Sequence, residues 1–122
     1  MNRCVLMFAC LVAAAFPAVA ADVQVGDRVL AHWEQGNAYF VATAVEQKGT
    51  RFLVVFEDGD TAVVSRTKIR KNDIEVGSRV IARWRDGRYY QGRVARTVGR
   101  ALYIHYDDGD KGWAPWSWIA VK

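Results

Sequence analysis

Two acidic turns flanked by aromatic residues, Phe56-Glu57-Asp58-Gly59-Asp60 and Tyr106-Asp107-Asp108-Gly109-Asp110, occupy matching places in the two halves of this 122-residue chain. Each is preceded by a tryptophan, Trp33 or Trp84, and by an aromatic pair, Tyr39-Phe40 or Tyr89-Tyr90. The chemistry these side chains share is capture of a cation. A π face attracts a diffuse positive charge by about 0.5–2 kcal/mol, and an adjacent carboxylate adds charge and a hydrogen-bond acceptor. Catalytic chemistry has no comparable support. His32 and His105 lie at outward strand positions with no spacing that suggests a shared metal, and the acidic turns lack the ligand count of a calcium loop. No phosphate-cradling glycine loop or serine elbow is present. The residues therefore predict a protein that is not an enzyme and takes no cofactor or metal.

The elements that position these groups are duplicated. Val25-Gly26-Asp27-Arg28-Val29-Leu30-Ala31-His32-Trp33 returns as Val76-Gly77-Ser78-Arg79-Val80-Ile81-Ala82-Arg83-Trp84. Each repeat has three glycine-bearing turns: Gln35-Gly36-Asn37 and Asp86-Gly87-Arg88, Lys48-Gly49-Thr50 and Val98-Gly99-Arg100, then the two Asp-Gly turns. Asp-Gly between alternating segments is a strong hairpin signal. Strands are predicted at 28–33, 39–46, 51–56 and 61–65 with a short one near Ile69, and again at 79–84, 89–97, 101–106 and 111–114 with one near Ile119. Val29, Ala31 and Trp33 share one face by period two, as do Phe52, Val54 and Phe56; Val80, Ala82, Trp84 and Leu102, Ile104, Tyr106 repeat the pattern. No stretch has sustained helical spacing. The expected fold is all-β: two tandem five-stranded barrels of the Src-homology-3 type, 22–71 and 74–122, behind a leader at 1–20.

That leader has a positive start at Asn2-Arg3, an apolar run from Cys4 to Phe16 and a small-residue site at Ala18-Val19-Ala20. It reads as a signal peptide cut between Ala20 and Ala21, which makes the mature protein periplasmic or secreted. No second apolar run is long enough to span a bilayer. Cys4 and Cys10 both leave with the leader, so no disulfide can staple the mature chain. Loss of Arg3 brings the net charge from +4 to +3. The charge is uneven: residues 22–73 carry seven Lys and Arg against eight acids, and residues 74–122 carry nine against five.

The order V-G-x-R-V-x-A-x-W, a glycine turn, paired aromatics and then aromatic-acid-Asp-Gly resembles the Tudor fold, and its duplication resembles tandem Tudor modules. The resemblance runs from Val25 to about Ile69 and from Val76 to about Ile119. It implies an aromatic cage that holds a methylated lysine or arginine of a peptide or protein partner. Carried onto this chain, the walls are Trp33, Phe40 and Phe56 with Asp58 in the first repeat, and Trp84, Tyr90 and Tyr106 with Asp108 in the second. The second cage is the favoured one because its tyrosines offer hydroxyls. Family cages commonly add a fourth aromatic where this chain has Asp58 or Asp60 and Asp108 or Asp110. A three-walled acidic pocket would favour a cation that still donates hydrogen bonds.

The second repeat supports an alternative, a binder of nucleic acid or of an anionic or glycan polymer of the cell envelope. Arg83, Arg85, Arg88 and Arg93 lie on or beside one hairpin, and Trp116 and Trp118 replace Arg66 and Lys68 of the first repeat. Those two indoles are expected to meet the other module. Trp113, in the place of Val63, is expected in the core. Leu53 and Val55, on an outer face of the first repeat, are expected at the seam. Nothing in the pattern defines an oligomeric state.

Overall fold

A computed structural model describes residues 22–122. The leader at 1–20 and the cut after Ala20 lie outside the described residues. In chain order the strands are β1 Arg28–Trp33, β2 Ala38–Lys48, β3 Arg51–Phe56, β4 Thr61–Ser65 and β5 Ile69–Lys71, then β6 Arg79–Arg83, β7 Tyr89–Val98, β8 Ala101–Tyr106, β9 Lys111–Pro115 and β10 Ile119–Val121. All pair antiparallel, and single 3-10 turns occupy Glu34–Gly36, Arg66–Lys68 and Trp116–Trp118. The expected strands are therefore present, with ends that differ by one or two residues.

Alternation sends one face of each five-strand unit into its own apolar cluster. Val29, Ala31, Phe52, Val54 and Phe56 meet in the first, and Val80, Ala82, Leu102, Ile104 and Tyr106 in the second. Gly59 and Gly109, with φ of 97° and 100°, turn the β3–β4 and β8–β9 hairpins in a conformation that glycine adopts freely. The long strands β2 and β7 each carry a register shift, between Ala44 and Glu46 and between Val94 and Arg96. An extra residue at such a point bends a strand, which lets β2 and β7 serve both sides of a curved sheet.

The two units share one ten-stranded sheet rather than standing as barrels joined only by a linker. The joint is β10, which pairs with β6 of its own unit through Ile119–Ala82 and Ala120–Ile81, and with β2 of the other through Ala120–Phe40 and Val121–Tyr39. A strand with partners on both edges has no free edge to protect. Lys122 Nζ donates to the Asn37 carbonyl at 3.4 Å, and Arg70 donates to the Lys122 carbonyl at 3.3 Å.

Two packing expectations fail, one on docking and one on parity. Leu53 and Val55 stay half-buried on the far side of β3, whereas Leu30 and Val41 are 1% exposed although neither belongs to either core cluster. Leu30 and Val41 are cross-strand partners on the outer face of β1 and β2, the face beside β10 and the Trp116–Trp118 turn, so they form the apolar seam. Trp113 is 47% exposed, much as Val63 is, because Ala114 is the residue that β9 points inward. Leu30→Ala is expected to cost about 2–5 kcal/mol in denaturant unfolding, as for a fully buried leucine. Leu53→Ala should cost clearly less; the reverse order would refute this account of the seam.

Candidate functional site

The cage residues of the first repeat surround a cavity of about 290 Å³. Trp33, at the end of β1, and Phe56, at the end of β3, meet edge to face with centroids 5.2 Å apart and planes at 80°. Phe40 of β2 forms the next wall. The remaining two aromatic walls come from the other module: Tyr89 lies edge-on to Phe40 at 5.9 Å, and Trp116 also lines the cavity. The sequence places Tyr89 by alternation. Tyr90 pairs with the core residue Ala82 and faces its own unit, so Tyr89 must face the opposite way, towards β2. Trp116 begins the 3-10 turn after Pro115, whose φ of −78° suits the ring. In the first repeat Ser65 takes the place of Pro115 and caps that turn by accepting from the Thr67 amide.

The acids divide into two roles. Glu57 is held by Arg28 at 3.3 Å and by Arg100 of the second module at 3.2 Å. Arg28 also lies over the Trp116 ring, 5.2 Å from its centroid, which ties the indole to the cavity rim. Asp58 and Asp60 are exposed at the mouth, and among the described residues neither is in an ion pair. Asp58 Oδ1 accepts the Asp60 amide at 3.0 Å, which fixes the turn and leaves its second oxygen free of that bond. Burial raises the Tyr89 hydroxyl above its ordinary pKa, Arg83 opposes the shift, and Asp58 adds to it.

The cage residues of the second repeat also converge, around a smaller cavity of about 180 Å³ that includes Trp84, Tyr90, Tyr106 and Asp108. Trp84 and Tyr106 repeat the edge-to-face geometry at 5.2 Å and 82°. The hydroxyls that made this cage the favoured one already have partners. Tyr90 donates to Asp86 Oδ2 at 2.6 Å, and Tyr106 donates to the Arg83 carbonyl at 3.0 Å. The Tyr90 bond lowers the Asp86 carboxyl and raises the Tyr90 hydroxyl from their usual values. The Arg85 guanidinium sits 4.7 Å above the Trp84 ring, so the protein's own cation occupies one indole face. No aromatic from the first module lines this cavity, because Tyr39, the counterpart of Tyr89, packs with His32 and under Arg70.

The residues of the polymer alternative are divided among several internal contacts. Arg85 is on Trp84, Arg83 is stacked over Trp118 at 5.1 Å, and the Arg88 backbone amide donates to Asp86. Arg93 donates to the Gly77 carbonyl, Trp116 is in the first cavity, and Trp118 packs against the second core. Sequence reasoning did not foresee that Tyr89 and Trp116 would line the first cavity. The exchange of Arg66 for Trp116 was the available signal; that its indole would face the first repeat depends on how the modules dock.

Residues 25–71 match the family model of the Tudor domain of the DNA repair protein Crb2. Residues 25–71, the first of the two repeats, are thus a Tudor-type segment. The Tudor match ends at Lys71, the last residue of β5. No curated protein matches the chain in sequence. Among solved structures, the crystal structure of Arabidopsis thaliana AGDP1 AGD34 is similar at 21% identity, covering 77% of this chain and 77% of that chain with a TM-score of 0.37.

Tyr106 makes the smaller cavity testable. Burial first, then Asp108 and Asp110, raise its hydroxyl above the ordinary tyrosine value of about 10. The folded state thus keeps this proton longer than the unfolded chain does. Its contribution to stability is complete below about pH 10 and disappears as pH rises through the folded value. Spectrophotometric titration should show tyrosine ionisation that lags free tyrosine, and Tyr106→Phe should remove part of the late phase. An unchanged late phase would refute the assignment.

Proposed function

We propose that the protein is a non-enzymatic binding module in which two Tudor-type barrels, 22–71 and 74–122, together hold one methylated lysine or arginine side chain of a peptide or protein partner. The observation that carries this reading is the composite cavity. Trp33, Phe40 and Phe56 face Tyr89 and Trp116 across it, with Asp58 and Asp60 at the mouth. Tudor domains are non-catalytic binding modules, in keeping with this use of the site.

The extra walls change the ligand preference inferred from a three-walled cage. A bulky ammonium loses water on entering an apolar enclosure, and each π face compensates by electrostatic attraction. Methyl groups spread the charge and lower that desolvation cost, while a retained N–H can donate to Asp58. A mono- or dimethylated amine satisfies both demands. The cavity of the second repeat is the weaker candidate, since Arg85 and the internal hydroxyl bonds already use its recognition groups.

The direct test titrates the full mature chain with N-acetyl-lysine amides bearing zero to three Nε-methyl groups and follows the indole N–H resonances of Trp33 and Trp116. Methylated ligands should shift both signals at lower concentration than the unmodified one. Trp116→Arg, which restores the residue type of the first repeat, should weaken binding by roughly 2- to 30-fold, the value of one π wall. Shifts that ignore methylation, or an unchanged affinity in Trp116→Arg, would sink the proposal.

Export belongs to the same reading. The leader at 1–20 motivates it, and the mass of the protein recovered from outside the cytoplasm should correspond to a chain beginning at Ala21. A full-length product retaining Met1 would contradict export by cleavage.

A further inference from the structure

The duplication supplies an internal control for the outer face of each module. In the second module β7, β8 and β9 place Arg93, His105 and Lys111 side by side in one cross-strand row. The next row on the same face is Arg96, Tyr103 and Trp113. In the first module the matching rows are Thr43, Val55 and Thr61, then Glu46, Leu53 and Val63. The same sheet is thus built without a cation or a ring at any of the six places, so the fold does not require them. Burial does not explain them either, because Arg93, Arg96, His105, Lys111 and Trp113 are all exposed.

The side chains are arranged as a surface rather than scattered. Tyr103 and Trp113 touch at 4.9 Å with planes at 45°, and His105 meets Tyr103 edge-on at 5.5 Å. The Arg96 guanidinium lies 5.2 Å from the Trp113 centroid. Two residues along a strand put the cationic row about 7 Å from the aromatic row. The nearby carboxylate of Asp107 is already engaged by Arg79, with both oxygens bonded at 2.8 and 2.9 Å. That pairing, with a smaller contribution from Arg93, holds Asp107 below the usual carboxylate range; Arg93, which also donates to the Gly77 carbonyl at 3.2 Å, remains exposed, as does Lys111.

We propose that this face binds an acidic polysaccharide, with a sugar ring laid on the Trp113 indole and its carboxylates on Arg93, Arg96 and Lys111. An indole face is electron-rich and takes the weakly positive C–H face of a pyranose, while guanidinium and ammonium groups pair with uronate oxygens. Single-stranded nucleic acid shares the anionic character but needs successive platforms on which bases stack. The 45° tilt of Tyr103 and the edge-on His105 leave only one such platform, which suits an isolated ring. The site is separate from the composite cavity and stands independently of it.

The probe is polygalacturonate, measured by calorimetry against the full mature chain, with its fully methyl-esterified form and a thymidine homo-oligomer as comparators. Binding to the acid form should weaken with added salt as counterions are released, and esterification should reduce it at least about tenfold. Replacing Arg93, His105 and Lys111 with Thr, Val and Thr, the residues of the first module, should do the same; so should Trp113→Val alone. The methyl-lysine response of the composite cavity should persist in both variants, which separates failure of this face from failure of the other site. Equal binding of the esterified polymer, tighter binding of the oligonucleotide, or full binding by folded Trp113→Val would each overturn the proposal.

Discussion

The pairing of β10 on both of its edges is the constraint from which the rest of the arrangement follows. By hydrogen-bonding to β6 and β2 together, a three-residue strand merges two small sheets into one. Small domains bury a low fraction of their surface, and the two units here have cores of only nine and eight buried residues. Sharing a strand lets Leu30 and Val41 become buried as well, adding a third apolar region that neither unit could close by itself. It also sets the units side by side in one sheet, so that aromatic residues from both line one cavity.

The shared strand breaks the symmetry of the duplication. Both repeats present a tryptophan and a second aromatic edge to face at 5.2 Å, so the local cage geometry is a property of the repeat. Docking then treats the two copies differently. The first gains Tyr89 and Trp116 and keeps its acids at an open mouth, while the second is occupied by bonds to its own residues. Outer faces diverge as well, a mixture of aliphatic residues, threonines and Glu46 in one module, basic with rings in the other. Two copies of one fold thus present unlike surfaces, and the residues that differ are those that the fold does not need.

How far each feature could be read in advance follows from the range of the interaction behind it. The strands, the hairpin turns at Gly59 and Gly109 and the inward faces of β1, β3, β6 and β8 depend on neighbours two to five residues apart, and alternation records these directly. Trp33 and Phe56, and Trp84 and Tyr106, follow the same alternation at or just past the ends of those strands, and each pair meets edge to face as the repeat suggests. Trp113 was misread because its type suggested burial while its parity, one residue before Ala114, pointed it outward. Leu53 and Val55 were misread as the seam because Leu30 and Val41 carry the same apolar signal, and only the docking geometry distinguishes the two pairs.

The amino-acid sequence alone determined the all-β class, the duplication, the hairpin turns and the aromatic and acidic content of both repeats. It did so because each depends on periodicity and turn chemistry confined to a short stretch. Only the tertiary structure decided that β10 would join β2, that Leu30 and Val41 would be covered, and that Tyr89 and Trp116 would complete the first cavity. Those outcomes depend on which of several apolar faces meet, a choice made by burial summed over two modules and recorded in no single segment.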